Sequence, residues 1–440
     1  MNYLFRYYQS VKNDSAKGFQ FFSICRQLVT FVGGVILAKS AYTNTEIGIY
    51  EVWMFLGLIL SFAGLSGVLQ AFLAQYGKID RSEQNKFIFN VYVVIWLITG
   101  FLALMLLLFK KFIFTQVFGI ESIPLLPFVL VFLLLHFNAV FAPYIGLAKN
   151  QSSFFIPYAL FYLVGNILSI LIPAVFGGDL NLLLTGLLVW AAIEQVVVLY
   201  LLGKEKVFAL SSNLIRLVLS AALPLTLYAG AGLFAQIFDA WLVNYHFGNL
   251  SVFALFKYGA REIPGAIALS SAFSASMVVL LISNRAGGLE RIKNGSSRFM
   301  HFFFPVSILL IFFSERLFGL LYNDFFEQSA AIFNAYLLIM VSRWIFPQAV
   351  LMSLGKHKEI FSISLIELIC NILLSLWFVR LFGLVGIALG TVIAFWLEKV
   401  LMIFILRNKY GIKLKEYIDL KPWSIYSLLL LAVFVWKWWF

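Results

Sequence analysis

Charged side chains are scarce in this sequence, at 12% of its 440 residues, whereas hydrophobic side chains make up 62%. A typical soluble domain carries about 25% charged residues, so this composition excludes a water-soluble globular protein. Cysteine is rarer still, with two residues, and the four histidines are far apart in the chain. These absences exclude a disulfide-stapled scaffold and the Cys/His clusters of a zinc site, and we expect no metal site and no cofactor.

Long apolar runs fill the chain instead. Each has roughly twenty residues or more, enough for a helix to cross a hydrocarbon core about 30 Å thick. The sequence therefore predicts an all-α polytopic membrane protein with twelve spans, at residues 19–38, 47–76, 86–109, 123–147, 153–176, 180–202, 214–242, 250–282, 299–321, 329–353, 360–379 and 383–405. A last run, 423–440, is rich in tryptophan around Lys437 and is either a thirteenth span or a helix lying at the membrane surface.

The distribution of Lys and Arg predicts the orientation. With a cytoplasmic N-terminus, twenty of these residues fall on the inner side of the membrane and five on the outer side. Cytoplasmic loops of membrane proteins carry such an excess of positive charge, so we predict that the N-terminus is cytoplasmic. The same asymmetry explains the net charge of +12, and no nucleic-acid partner is expected.

The polar stretch 204–213 separates two sets of six spans. It predicts three regions, which are an N-terminal lobe at 1–203, a C-terminal lobe at 204–421 and a hydrophobic helix at 422–440. The first span of each set carries a helix breaker, Gly33-Gly34 in one and Pro224 in the other. Paired breaks at matching positions are typical of transporters built from repeats.

Short motifs recur at the turns between spans. Gly355-Lys356 lies in a predicted cytoplasmic turn, Asn371 lies in the eleventh span, and a G-x-x-G-x-A motif from Gly383 to Ala388 opens the twelfth. In the first half, Gly48 and Tyr50 form a G-x-Y motif at the start of the second span. A second Gly-to-Lys turn, from Gly146 to Lys149, joins the fourth and fifth spans.

In order and spacing, these motifs resemble the multidrug/oligosaccharidyl-lipid/polysaccharide (MOP) exporter superfamily, in particular its bacterial polysaccharide and O-antigen flippase branch. The resemblance implies two six-helix lobes facing a central cavity that opens alternately to either side. It also implies a location in the bacterial inner membrane and a polyprenyl-diphosphate-linked oligosaccharide as substrate, moved to the outer leaflet for surface polysaccharide synthesis. Membrane lipids and polysaccharide-assembly proteins are the partners implied.

Basic residues inside the spans are candidate substrate contacts, because an ionisable group in a membrane costs about 2.5–3.5 kcal/mol and needs a partner or water. The candidates are Arg26, Lys257, Arg261 and Arg343. A guanidinium fork matches diphosphate oxygens, whereas a structural ion pair between helices is the alternative for each. Lys257 and Arg261 are four residues apart, which predicts one face of the eighth span.

Acidic residues inside the spans are candidate coupling or gating groups, namely Glu51, Glu194 and Asp239. A buried carboxylate can exchange a proton or a sodium ion, so H⁺ and Na⁺ are the coupling ions considered. By depth in the membrane, we expect Glu194 to face Arg26, Asp239 to pair with Arg261, and Glu367 and Glu398 to be the acidic neighbours of Arg343.

Two further functions stay open at this point. A multidrug exporter of the same superfamily would take organic cations and would need more acid than base in its cavity. A membrane polysaccharide polymerase or glycosyltransferase would need a large outer loop, and the predicted connections are short. The sequence contains no nucleophile elbow, phosphate-binding glycine loop or metal motif, so an enzyme is not expected and no catalytic residue is assigned.

The predicted topology can be tested with single cysteines introduced near Lys149, Lys204, Lys293 and Lys356. Because all four positions are predicted to be cytoplasmic, the cysteines should resist a membrane-impermeant thiol reagent in intact cells and react after permeabilisation. Labelling of two or more of them in intact cells would contradict the orientation.

Overall fold

The structure, a computed structural model, describes residues 14–61, 65–117, 123–177, 179–203, 208–263 and 265–439. Within these ranges the chain forms helices and short turns and no strand, which confirms the predicted all-α class. Nine helices there are long and apolar enough to cross a membrane. The predicted boundary after residue 203 stays a prediction, and Lys204 lies outside these ranges.

The chain divides into two compact units, Met1–Leu233 with Asn244–Ala254 and Phe234–Val243 with Leu255–Phe440. The helices from the N-terminus to the middle of the chain are α1 (Ser15–Lys39), α2 (Asn44–Ser61), α3 (Gly67–Tyr76), α4 (Gln84–Leu108), α5 (Leu126–Ala139), α6 (Phe141–Ala148), α7 (Ser152–Val175), α8 (Leu180–Gly203), α9 (Ser212–Phe247) and α10 (Leu250–Gly259). Both α1 and α9 are continuous, so the predicted breaks at Gly33-Gly34 and Pro224 are wrong.

Glycines allow α1 to pack closely along α7 in the first unit. A Cβ atom at Gly18 would lie 2.7 Å from the Phe155 side chain, and one at Gly33 would lie 2.8 Å from Ile170. Both distances are shorter than van der Waals contact, so only glycine fits without movement of a neighbour. Gly18 and Gly33 therefore serve helix packing, and the helix continues through Gly33 and Gly34.

The second half of the chain contains longer and more interrupted helices. They are α11 (Ala266–Ser283), α12 (Arg285–Leu321), α13 (Ser329–Leu337), α14 (Met340–Arg343), α15 (Pro347–Ser353), α16 (His357–Tyr410), α17 (Leu414–Tyr417) and α18 (Leu420–Trp439). Helix α12 begins well before the predicted span at 299–321, so the segment around Lys293 is helical. Asn284 caps this helix by accepting a hydrogen bond from the Gly287 amide.

The eleventh and twelfth predicted spans form an antiparallel hairpin within α16. Its turn is at Gly383, where φ is 58° and ψ is −135°, a conformation that strongly favours glycine. Beyond the turn, a Cβ atom at Gly386 would lie 2.1 Å from the Phe378 carbonyl oxygen. The Asn371 amide donates to the Thr391 hydroxyl at 3.0 Å across the hairpin. The G-x-x-G motif therefore makes a tight turn between two closely packed helices.

The last apolar run forms the 20-residue helix α18, which packs along α12. His301 Nδ1 lies 2.8 Å from the Tyr426 hydroxyl, and Lys437 pairs with Glu315 at 3.0 Å. The residue that lies later in α12 contacts the residue that lies later in α18, so the two helices run in the same direction. A helix of this length reaches about 30 Å and lies beside a span, which favours a thirteenth span over a helix at the membrane surface.

Candidate functional site

Two predicted spans of the second half are interrupted. The span predicted at 250–282 stops at Gly259 and resumes at Ala266, and the span predicted at 329–353 is split between Arg343 and Pro347. Proline accounts for both positions, because it lacks an N–H group and disfavours a helical conformation in the residue before it. Irregular backbone at membrane depth is tolerated where protein or water covers it, so such breaks mark candidate sites.

An ion pair joins the two breaks within the second unit. The Nη2 atom of Arg343, at the end of α14, hydrogen-bonds to both carboxylate oxygens of Glu262, in the segment between α10 and α11. Both side chains are about four-fifths buried, with 18% and 19% of their surface exposed. The partner of Arg343 is thus Glu262, and the expectation of Glu367 or Glu398 is wrong. Arg343 carries its own counter-charge before any substrate binds.

A cavity of about 480 Å³ lies beside this ion pair, also within the second unit. Its walls come from α11, from the segment around the α14–α15 break and from the second half of α16. Half of the fourteen lining residues are polar or charged, namely Ser270, Ser271, Ser274, Ser342, Gln348, Arg343 and Lys399. Lys399 donates to Glu398 at 2.7 Å, so this second cation is also paired. The volume falls in the range of small-molecule sites.

Arg261 and Lys257 do not share a helical face. Helix α10 ends at Gly259, which leaves Arg261 in the irregular segment that follows. The Arg261 guanidinium lies 4.2 Å from the ring centre of Tyr258 and donates to the Tyr322 hydroxyl at 3.3 Å. Arg261 is therefore held by aromatic residues, and the predicted pairing with Asp239 is wrong. The charge of Lys257 does act on Asp239.

Asp239 lies at the centre of a buried polar cluster in the second unit. It is 3% exposed and accepts hydrogen bonds through Oδ2 from Thr391 at 2.5 Å and Tyr336 at 3.2 Å. Its other oxygen, Oδ1, and the Oδ1 atom of Asn371 are buried and have no hydrogen-bond partner among the described residues. Two acceptor oxygens are thus available in a place where an unpaired acceptor is costly, and a proton or a hard cation would satisfy them.

Glu194 forms a saturated network in the first unit. Its carboxylate lies 2.8 Å from His136 Nδ1 and accepts hydrogen bonds from Asn166 at 2.8 Å and Trp190 at 2.9 Å. The side chain is 1% exposed. These neighbours come from α5, α7 and α8, so the carboxylate ties three helices together. Glu194 therefore has local partners, and the expected role as the counter-charge of Arg26 is not what its contacts support.

Arg26 lies on the exposed side of α1. Its charge interacts with Tyr144 and Tyr162, but within the described part of the chain its side chain makes no hydrogen bond and no ion pair. A guanidinium facing hydrocarbon would cost several kcal/mol, so this side of α1 must meet water or an anion. Glu51, the remaining candidate on α2, is 6% exposed and is engaged in interactions of its own.

Some of these features had a signal in the sequence and others had none. Pro264-Gly265 and Pro347 are sequence signals for the broken spans. Both signals lie inside apolar runs that are long enough to predict a continuous span. The pairs Arg343–Glu262 and His136–Glu194 join residues that are 81 and 58 positions apart in the sequence. The expected depth of each residue in the membrane does not predict which of them form pairs. No group of three or more His, Cys, Asp or Glu side chains suited to a metal occurs in the part that the structure describes.

Comparison with solved structures identifies the architecture. The fold is similar to that of the lipid II flippase MurJ in an inward closed conformation, with a TM-score of 0.73 and 18% identity over 94% of this chain and 91% of that one. It is also similar to an inward-facing multidrug resistance MATE family transporter of the MOP superfamily, with a TM-score of 0.61 and 14% identity over 94% and 98%.

A MOP superfamily transporter from Pyrococcus furiosus gives a TM-score of 0.56 with 14% identity, over 92% of this chain and 97% of that one. The sequence itself matches no protein-family model and no curated protein. At such low identity the structural similarity shows the fold alone.

The Arg343–Glu262 pair can be tested by a charge swap. Arg343→Glu or Glu262→Arg alone places like charges together at a poorly hydrated site, so each should lower membrane accumulation and the thermal unfolding temperature. The double variant restores opposite charges and should recover a substantial part of both. The matched control swaps Lys86 and Glu83, a more exposed pair at 3.6 Å, and should have little effect. A double variant no better than the worse single variant would contradict the pairing.

Proposed function

We propose that this chain, which has the fold of the MOP exporters, is a flippase for a polyprenyl-diphosphate-linked oligosaccharide. It moves the lipid from the cytoplasmic to the outer leaflet of a bacterial inner membrane by alternating access, for the synthesis of a surface polysaccharide. The sugar head and diphosphate cross through the protein while the prenyl tail stays in lipid. A cytoplasmic N-terminus and assembly proteins as partners are part of the same proposal.

The uncompensated charge of Arg26 is the observation that carries this proposal. Its guanidinium is exposed and makes no ion pair within the described residues, whereas Glu194 is already satisfied by three neighbours. An exposed guanidinium on a transmembrane helix fits an anionic ligand, and its planar fork matches the oxygens of a diphosphate. The similarity to a lipid II flippase supports the same substrate class.

A multidrug exporter is the second candidate, because MATE transporters share the fold. Binding an organic cation requires an available carboxylate. The carboxylates of Glu194, Glu262 and Glu398 all have close partners, which are His136, Arg343 and Lys399. Asp239 keeps one oxygen without a hydrogen-bond partner among the described residues, but this carboxylate is buried, it is bonded to Thr391 and Tyr336, and the charge of Lys257 acts on it. This distribution favours an anionic substrate over an organic cation. The solved structures of this fold compared above are transporters, which supports a transporter over a polymerase or glycosyltransferase.

Asp239 is the proposed coupling residue. Its unpartnered Oδ1 atom, the Oδ1 atom of Asn371 and the Thr391 hydroxyl would together hold a sodium ion, or Asp239 would take a proton instead. Either ion would relieve the cost of a buried carboxylate. Glu51 and Glu194 are then gating or structural groups, since both already have partners.

The Arg26 proposal can be tested in proteoliposomes. Arg26→Ala should abolish transport of a polyprenyl-diphosphate-linked oligosaccharide while the protein stays folded, and Arg26→Lys should restore part of it because lysine lacks the bidentate fork. Arg380→Ala, which removes an exposed arginine near the α16 turn, serves as the matched control and should keep full transport. Full transport by Arg26→Ala, or efflux of ethidium by the wild-type protein without transport of the lipid, would overturn the proposal.

The coupling proposal can be tested by imposing a sodium or a pH gradient across the same vesicles. One of the two should accelerate transport by the wild-type protein, and Asp239→Asn should remove that acceleration because the amide cannot carry the charge. The control, Ser314→Ala, removes a buried hydroxyl of α12 that bonds to its own helix and should keep the gradient response. A response to either gradient that survives in Asp239→Asn would exclude this residue as the coupling group.

A further inference from the structure

The cavity in the second unit has both polar and apolar walls and is close to neutral. Its two cations, Arg343 and Lys399, are each held by a carboxylate, so little positive charge is left over. A diphosphate bound there would have to displace Glu262 or Glu398, or lie against their negative charge. We propose that this cavity binds sugar residues of the lipid-linked glycan, and that the diphosphate binds elsewhere. This inference rests on the proposed function.

Three polar side chains in the wall are available for a ligand. Ser271, Ser274 and Gln348 line the cavity and make no side-chain hydrogen bond within the described residues. Ser271 and Ser274 are three residues apart on α11, so they lie on one face of that helix, and Gln348 belongs to α15, which packs against it. Two hydroxyls and an amide supply both donors and acceptors, which is the array that sugar hydroxyl or acetamido groups require.

The remaining serines of the cavity have a different role. The hydroxyls of Ser270 and Ser342 donate to the carbonyl oxygens of Ile267 and Ile339 in their own helical turns, at 3.0 and 3.1 Å. They keep only acceptor capacity toward a ligand. Phe346 and Phe395 add flat apolar surface to the same wall, and such rings pack against the C–H faces of a sugar. The cavity therefore combines polar groups and apolar faces without net charge.

The inference separates two parts of the substrate, and transport assays can distinguish them. The experiment compares the transport of two lipids in vesicles that contain no glycolipid. One is the lipid-linked oligosaccharide extracted from the native host, and the other is the bare polyprenyl diphosphate of the same chain length. The double variant Ser274→Ala with Gln348→Leu should slow the glycan-bearing lipid about tenfold, because hydrogen bonds to the sugar are lost. The same variant should transport the bare diphosphate within twofold of the wild-type rate.

The matched control is Ser276→Ala, on the same helix but outside the cavity wall, where the hydroxyl is exposed and bonds to the Phe273 carbonyl. It should leave both rates unchanged. Equal losses for both lipids in the double variant would overturn the inference, as would no loss for either. Loss of diphosphate transport in Arg26→Ala together with an unaltered double variant would support the proposed function and refute only the sugar site.

A binding measurement tests the cavity without transport. In a background with Cys25→Ala and Cys370→Ala, Ser274→Cys should react with a small maleimide in a detergent that has no sugar headgroup. Free oligosaccharide released from the host lipid by mild acid should slow the reaction at least threefold, whereas inorganic pyrophosphate should not. Protection by pyrophosphate alone, or by neither probe, would overturn the inference even if the wild-type protein transports no lipid at all.

Discussion

The structure depends on one constraint, which is that backbone polar groups inside hydrocarbon must be hydrogen-bonded within the protein. A continuous helix such as α1 meets it through the hydrogen bonds of the helix itself. The helices are interrupted after Gly259 and after Arg343, and charged side chains lie at both interruptions, namely Arg261, Glu262 and Arg343. Arg343 and Glu262 stand at these two interruptions and hold each other, so an ion pair joins two segments that regular helix geometry cannot support. The neighbouring cavity is lined by residues on both sides of the second interruption, including Ser342, Arg343 and Gln348.

The candidate residues fall into two groups according to whether the described residues supply a partner for their charge. This distinction is clearer than one based on their position in the chain. Within the described residues, Arg343 and Lys399 have carboxylate partners, and Glu194 has a histidine, an amide and an indole. A saturated group stabilises helix packing and is costly to break, which suits a structural role. Arg26 differs from these residues because, within the described part of the chain, its side chain makes no hydrogen bond and no ion pair, and its charge acts on Tyr144 and Tyr162. Arg26 is therefore a candidate contact for an anionic ligand, because the described residues supply no ion-pair partner for its guanidinium.

Span positions could be predicted from the sequence because hydrophobicity over twenty residues is a local property. The turn at Gly383 and the packing of Gly386 also had local signals, since a glycine pair in an apolar run indicates a tight approach. The partners of the charged residues could not be predicted, because matching depth in the membrane says nothing about which helices adjoin. Arg261 illustrates this limit: a four-residue spacing predicts a shared face only if the helix continues, and α10 ends two residues earlier. Tyr258 and Tyr322 lie beside its guanidinium.

The two units offer different chemistry when each is considered by itself. The first presents the Arg26 guanidinium, for which the described residues supply no counter-ion and which suits a strong anion. The second presents hydroxyl and amide groups around cations that are already neutralised, which suits an uncharged polar ligand. A lipid-linked glycan contains both kinds of group in one molecule, a diphosphate and a set of sugars. A typical organic cation contains neither a diphosphate nor a set of sugars. A simple phosphate has no uncharged polar part that could bind in the neutral cavity. The two observations together therefore support the proposed substrate more strongly than either observation does alone.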